Sequence, residues 1–165
     1  MCRMRKISRE PVLVFEKTIP ASIEEVWEAW TTEQGVKTFF APDCHIDLKP
    51  GGAYEMFFNP EGASGERGGE GCQILAIEKP TLFSFTWNFP PEIPLLRNTY
   101  QHTHVSLRLS PVLPKNTLVR IVQDGWGVGE EWEKGLAYFS RAWGEIVLPR
   151  LYDRFTKGPI IWNTL

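Results

Sequence analysis

The stretch TLFSFTWNFP (81–90) limits what this chain can fold into more than any other. Phe83, Phe85, Trp87 and Phe89 fall on one parity, and Ser84, Thr86 and Asn88 on the other. Successive side chains of a β-strand point to opposite faces, so this strand has one aromatic face and one polar face. The aromatic face must be buried against another element. Near the C-terminus Trp132, Leu136, Phe139, Trp143, Val147, Leu151 and Phe155 step by threes and fours. That spacing predicts an apolar stripe along about six turns of helix at 3.6 residues each. No other predicted element is long and apolar enough to cover the sheet. Pro149 lies inside the stripe and should bend or interrupt the helix; Gly158-Pro159 ends it.

The rest of the chain supplies further strands. VLVFEKTIP (12–20) is β-favouring and stops at Pro20. Ser22 and Glu25 form a capping box at the start of a helix that carries Ile23, Val26, Trp27 and Trp30 on one face. Gly35 is the expected stop of that helix, and VKTFFAP (36–42) a short second helix or turn. HIDLKPGGAYEMFF (45–58) reads as a hairpin. The segment 59–71 has five glycines and reads as a flexible loop. CQILAIEKP (72–80) precedes the aromatic strand, the Pro-rich 90–98 reads as a loop, and TYQHTHVSLRLSP (99–111) pairs with NTLVRIVQDGW (116–126). The expected fold is α+β: a curved antiparallel sheet of about six to seven strands wrapped around a long C-terminal helix, with two short helices after the first strand. The expected division is a flexible segment 1–11, one domain 12–158 and a tail 159–165.

A sheet curved around a helix leaves space where the two diverge. The chain holds seven Trp, ten Phe and four Tyr, which can fill such a space or line it. Trp27, Trp30, Phe39 and Phe40 are placed at its mouth. The candidate ligand-lining set is Phe39 and Phe40; Tyr54, Met56 and Phe58 from the hairpin; Phe83, Phe85 and Trp87; Gln123 and Trp126; and Phe139 and Trp143 from the last helix. Gln123 shares parity with Val119 and Ile121 and so faces inward. A buried amide left unpaired costs about 1–3 kcal/mol, so Tyr54, Tyr138 or a ligand is its expected partner.

Several function classes find no support. A net charge of −2 from 18 basic and 20 acidic residues, with no basic stripe, argues against nucleic acid. No apolar run reaches membrane-spanning length, and MCRMRKISRE lacks the apolar core of a signal peptide. Cys2, Cys44 and Cys72 have no C-x-x-C spacing, as expected of a reduced, cytoplasmic protein. His102 and His104 share a strand face, but Val105, Leu107 and Leu109 on the other parity turn both outward, so no metal site is expected. DGWGVGEEW (124–132) has G-x-G spacing, but Glu130 and Glu131 stand where phosphate would sit. Asp124 and Glu131 read as solvated charges. No inward histidine or carboxylate offers an acid or base, and no cofactor is expected.

The pieces IPASIEEVWEAWTT, DLKPGGAYEMFF, GCQILAIEKPTLFSFTW, TLVRIVQDGW and AWGEIVLPRLYDRF, in this order, span roughly 12–157. As a set they resemble the START/Bet v 1-like superfamily with its helix-grip fold, and more narrowly the family named after the activator of the Hsp90 ATPase. Ala142 stands where the family often has glycine before the helical tryptophan, and Gln123 where it often has histidine. The inward aromatic row and Gln123 point to a cavity for a small hydrophobic or aromatic molecule as the first functional reading. The resemblance implies two alternatives: a co-chaperone-like interaction with an Hsp90-type ATPase, and a cyclase- or dehydratase-like enzyme as found elsewhere in the superfamily. Exposed edge strands beside the Pro-rich loop fit a monomer or a homodimer.

Overall fold

A computed structural model of the chain describes residues 10–164. Most of the N-terminal segment read as flexible, including Cys2, lies outside the described residues. Strand β1 (Leu13–Ile19) leads through Pro20 into helix α1 (Ile23–Thr31). The capping box is present: the Ser22 N–H donates to Glu25 Oε2 at 2.9 Å, and the Glu25 N–H donates to Ser22 Oγ at 3.2 Å. The first turn's carboxylates also suit the positive end of the helix dipole.

Gly35 does not end α1. Thr32 does, in an extended conformation, and its hydroxyl accepts the Gly35 N–H at 2.9 Å to start helix α2 (Glu33–Val36). A threonine serves here as stop and start at once, because its side-chain oxygen satisfies an orphan N–H of the next helix.

Strands β2 (Asp43–Ile46) and β3 (Tyr54–Phe57) form the predicted hairpin. Strands β4 (Ile74–Glu78), β5 (Leu82–Trp87), β6 (Thr103–Leu113) and β7 (Asn116–Asp124) join β1 in an antiparallel sheet of order β1-β7-β6-β5-β4. The expected strands therefore divide into a five-stranded and a two-stranded sheet. A bridge between Ala53 and Gln73 and the hydrogen bond from Tyr54 N to Cys72 O at 2.9 Å tie the two together. Among the described residues no helix is long and apolar enough to cross a membrane.

The aromatic face of β5 is buried as its alternation required. Its cover is shared. Phe83 meets Trp27 of α1 at 6.0 Å and Tyr54 of β3 at 4.9 Å between ring centroids, while Trp87 meets Trp143 of the last helix at 5.9 Å. The C-terminal helix thus grips only the far half of the aromatic row, and the early helix and the small hairpin cover the rest. The architecture is the expected helix-grip fold.

That last helix has three parts: α4 (Glu130–Arg141), a π-helical segment Ala142–Val147, and α5 (Leu148–Lys157). Pro149 does not break it. The Leu148 N–H donates to Trp143 O, five residues back, so the helix passes through a widened turn directly before Pro149. Gly158 ends α5 with φ 104°. The chain then returns to the early helices: Ile160 N donates to Thr38 O at 2.9 Å and Trp162 Nε1 to Lys37 O at 2.7 Å.

Candidate functional site

A cleft of about 520 Å³ opens between the last helix, the end of β5 and the segment 58–68. Five of the predicted lining residues meet there: Phe40, Phe58, Trp87, Phe139 and Trp143. Phe40 lies 5.8 Å from both Trp87 and Trp143, and Phe58 5.9 Å from Phe40. Phe40, Trp87 and Trp143 are buried and form the floor; Phe58 is exposed at the rim. The π-helical segment carries Trp143, Ile146 and Val147 into the cleft, and such widened turns recur at functional sites.

The other predicted residues pack elsewhere. Trp27, Trp30 and Phe39 do not line a mouth; Trp30 packs edge-on against Phe39 at 4.9 Å, and all three are buried. Tyr54, Met56, Phe83 and Phe85 fill the space under the hairpin, where Tyr54 and Phe85 are 4.6 Å apart. The Tyr54 hydroxyl donates to Trp30 O at 2.7 Å, and burial pushes its pKa well up. Trp126 packs on Phe89 and Phe139 at 6.1 and 6.0 Å.

Gln123 is fully buried, as its parity required, but its partners are neither Tyr54 nor Tyr138. Its Nε2 donates to Thr103 Oγ1 at 2.8 Å, and its Oε1 accepts from Trp143 Nε1 at 2.9 Å. The Thr103 hydroxyl in turn donates to Trp87 O at 3.3 Å. This chain of bonds joins strand β5, through β6 and β7, to the helix and sets the plane of the Trp143 ring. Gln123→Leu leaves the indole N–H buried without an acceptor, and is expected to lower stability by about 1–3 kcal/mol in urea unfolding.

The segment 59–71 is tied down rather than loose. Helix α3 (Pro94–Asn98), inside what reads as a Pro-rich loop, presents Arg97 to it. Arg97 donates to Gly65 O, to Gly68 O at 3.0 Å and to Phe89 O at 2.6 Å, and meets Glu70 Oε1 at 3.3 Å. Asn88 adds a bond to Gly68 O at 2.9 Å. Gly68 has φ 153°, and a side chain there would run into the Met56 carbonyl.

Arg97, Thr103, Asn88 and the cleft arginines Arg67 and Arg150 were not singled out by sequence. Only Thr103 had a signal, its parity with Val105. His104 stands outside beside Asp124 at 3.5 Å. Burial lowers the pKa of His102, with help from His104. Burial also pushes the Cys44 and Cys72 thiols up to about 11 and 12, so neither is a thiolate near neutral pH. No group of three or more His, Cys, Asp or Glu among the described residues is placed to hold a metal ion. Chemically, the cleft is a stacking platform with a polar rim of Glu66, Arg67, Asn88, Glu92, Tyr138 and Arg150.

Comparison with known proteins places this geometry. The model of the family "Activator of Hsp90 ATPase homolog 1-like protein" matches residues 20–155. No curated protein matches the chain by sequence. Solved structures of the same fold include the Aha1 dimer from Colwellia psychrerythraea, 21% identical over 90% of this chain and 98% of that one, TM-score 0.69. An Hsp90 activator from Plasmodium falciparum is 16% identical over 90% and 97%, TM-score 0.65. CalU16 from Micromonospora echinospora is 20% identical over 91% and 76%, TM-score 0.61. At these identities the structural likeness speaks for the fold, and the family model for descent: the chain belongs to the family of Activator of Hsp90 ATPase homolog 1-like proteins.

Proposed function

We propose that the cleft binds a small hydrophobic or aromatic molecule. The observation that carries this reading is the floor of Phe40, Trp87 and Trp143 beneath about 520 Å³ of space. Ligand sites typically have about 300–1,000 Å³ and an apolar lining with few fixed polar groups. The rings are held before any ligand arrives: Trp143 by Gln123, and the strand under Trp87 by Thr103. Each aromatic contact with a ligand ring adds about 0.5–1.5 kcal/mol beyond its buried area.

The test is nuclear magnetic resonance titration with 2-naphthol and biphenyl-4-carboxamide, following the indole N–H signals. Saturable shifts at Trp87 and Trp143, weakened at least tenfold by Ile146→Trp, are the expected outcome. Ile146 is partly exposed on the helix and lines the cleft, so a larger ring there obstructs the space without entering the core. Absence of saturable shifts for either compound would remove the reading.

A second reading is a co-chaperone-like partner of an Hsp90-type ATPase. Family membership favours it, as does the likeness to a protein described as an Hsp90 activator. It predicts complex formation and a changed ATPase rate when this protein is added to the chaperone; an unchanged rate with no complex would dismiss it.

A further inference from the structure

The charged groups of the cleft are Glu66, Arg67, Glu92 and Arg150. Their formal charges cancel, but their surroundings differ. Both glutamates are exposed, and both arginines are half-buried. The positive charge is therefore the one held partly out of water, where electrostatic interactions are least screened.

Arg150 is the better defined of the two. It projects from α5 one turn beyond Ile146, and its guanidinium lies over the Trp162 ring at 5.3 Å from the centroid. Trp162 is itself fixed by its bond to Lys37 O. No carboxylate among the described residues pairs with Arg150, and burial lowers its pKa. Arg67 donates from Nε to Gly62 O at 3.0 Å, which holds the planar group while its terminal nitrogens make no ion pair among the described residues. Compare Arg97, whose fork is spent on carbonyls and on Glu70. A guanidinium that is stacked, partly desolvated and without a counter-ion is built to receive an anion, since its flat fork matches carboxylate, sulfonate and phosphate oxygens.

The helix also orders the site along its length. Trp143 lies at the apolar floor and Arg150 seven residues on, about 10 Å at 1.5 Å per residue. Glu92 and Tyr138 line the same cleft, and burial followed by the charge of Glu92 raises the Tyr138 pKa. Tyr138 precedes Trp143 on the helix, so Glu92 lies toward the α4 end and Arg150 toward the α5 end. A molecule lying along the helix meets Glu92 at one end and Arg150 at the other.

Resting on the reading that this cleft binds a ligand, we propose that its occupant is an aromatic molecule bearing an anionic group within about 10 Å of the stacked ring, and that Arg150 receives the anion. Neutral aromatic compounds of the same shape bind, but less tightly.

The experiment compares biphenyl-4-carboxylate with biphenyl-4-carboxamide by isothermal titration. Wild-type protein is expected to bind the acid at least about tenfold more tightly, the worth of one charge-assisted hydrogen bond. That preference should shrink as salt is raised. Arg150→Gln should remove most of the preference for the acid over the amide, whereas Arg150→Lys keeps a larger part of it. Arg67→Gln provides a second measurement if loss of the Trp162 stacking perturbs folding, and it should reduce the preference without removing it. Equal binding of acid and amide by the wild-type protein overturns the anion proposal and leaves the cleft reading intact. Binding of neither compound overturns both.

Discussion

Trp143→Ala is expected to lower the free energy of unfolding by about 3–5 kcal/mol, the range for removing a large buried aromatic side chain. The ring is 1% exposed and packs on both Phe40 and Trp87. Its removal also leaves Gln123 Oε1 without its N–H donor. Against a typical total of about 5–15 kcal/mol, this is a large fraction, and urea unfolding should show a midpoint lower by about 1 M or more. Trp143→Phe separates the two contributions, because it keeps most of the packing and loses the donor. If it is combined with Gln123→Leu, the two changes should be less than additive, since each removes the same bond. A loss below about 1 kcal/mol for Trp143→Ala would mean that the ring does not anchor the helix to the sheet.

Arg97→Ala should have the second-largest effect, about 3 kcal/mol, and a local one besides. One guanidinium makes five hydrogen bonds, to three carbonyls and one carboxylate. Its side chain is 9% exposed and that of Glu70 21%. Truncation leaves those acceptors facing a void. Lysine cannot replace the planar fork, so Arg97→Lys should recover little. In hydrogen exchange the amides of Asn59 and Gly69, which bond to Arg67 O and Met56 O, should lose protection more than the central strands β6 and β7 do. Unchanged exchange there would show that Arg97 does not hold the segment 59–71 in place.

Much of the fold was legible because it rests on period. The row Phe83 to Phe89 named its own buried face, and Gln123 could be turned inward from Val119 and Ile121 alone. Period says which face a residue occupies, not which neighbour it meets. Hence the partners of Gln123 were missed: Thr103 and Trp143 lie on other elements, twenty residues away in each direction. Arg97 was missed because the Pro-rich stretch 90–98 reads as a loop, whereas Pro94 sits in the first turn of a short helix, where its missing N–H costs nothing. The glycines of 59–71 suggested looseness, yet Gly68 is there because the backbone runs against Met56. Aromatic counting could not separate Phe39, packed in the core, from Phe40, which borders the cleft.

The helical stripe contains a subtler trace. From Phe139 the apolar positions recur every four residues, through Trp143 and Val147 to Leu151. At about 100° per residue that spacing drifts by about 120° over three turns and should carry Leu151 off the buried face. Leu151 is nevertheless fully buried. The π-helical segment takes in one residue more than α-helical turns would, which removes about 100° of the drift. The repeated step of four is the mark of that widened turn.

Pro149 follows this widened turn closely. A proline nitrogen carries no hydrogen, so the carbonyl a turn before it can never be claimed by an ordinary α-helical bond. The widened turn that sets Trp143 and Ile146 at the cleft stands directly before that proline, and Gln123 holds Trp143 in place from the sheet. A molecule entering the cleft finds its berth already shaped, and the association loses little free energy to reorganising the protein.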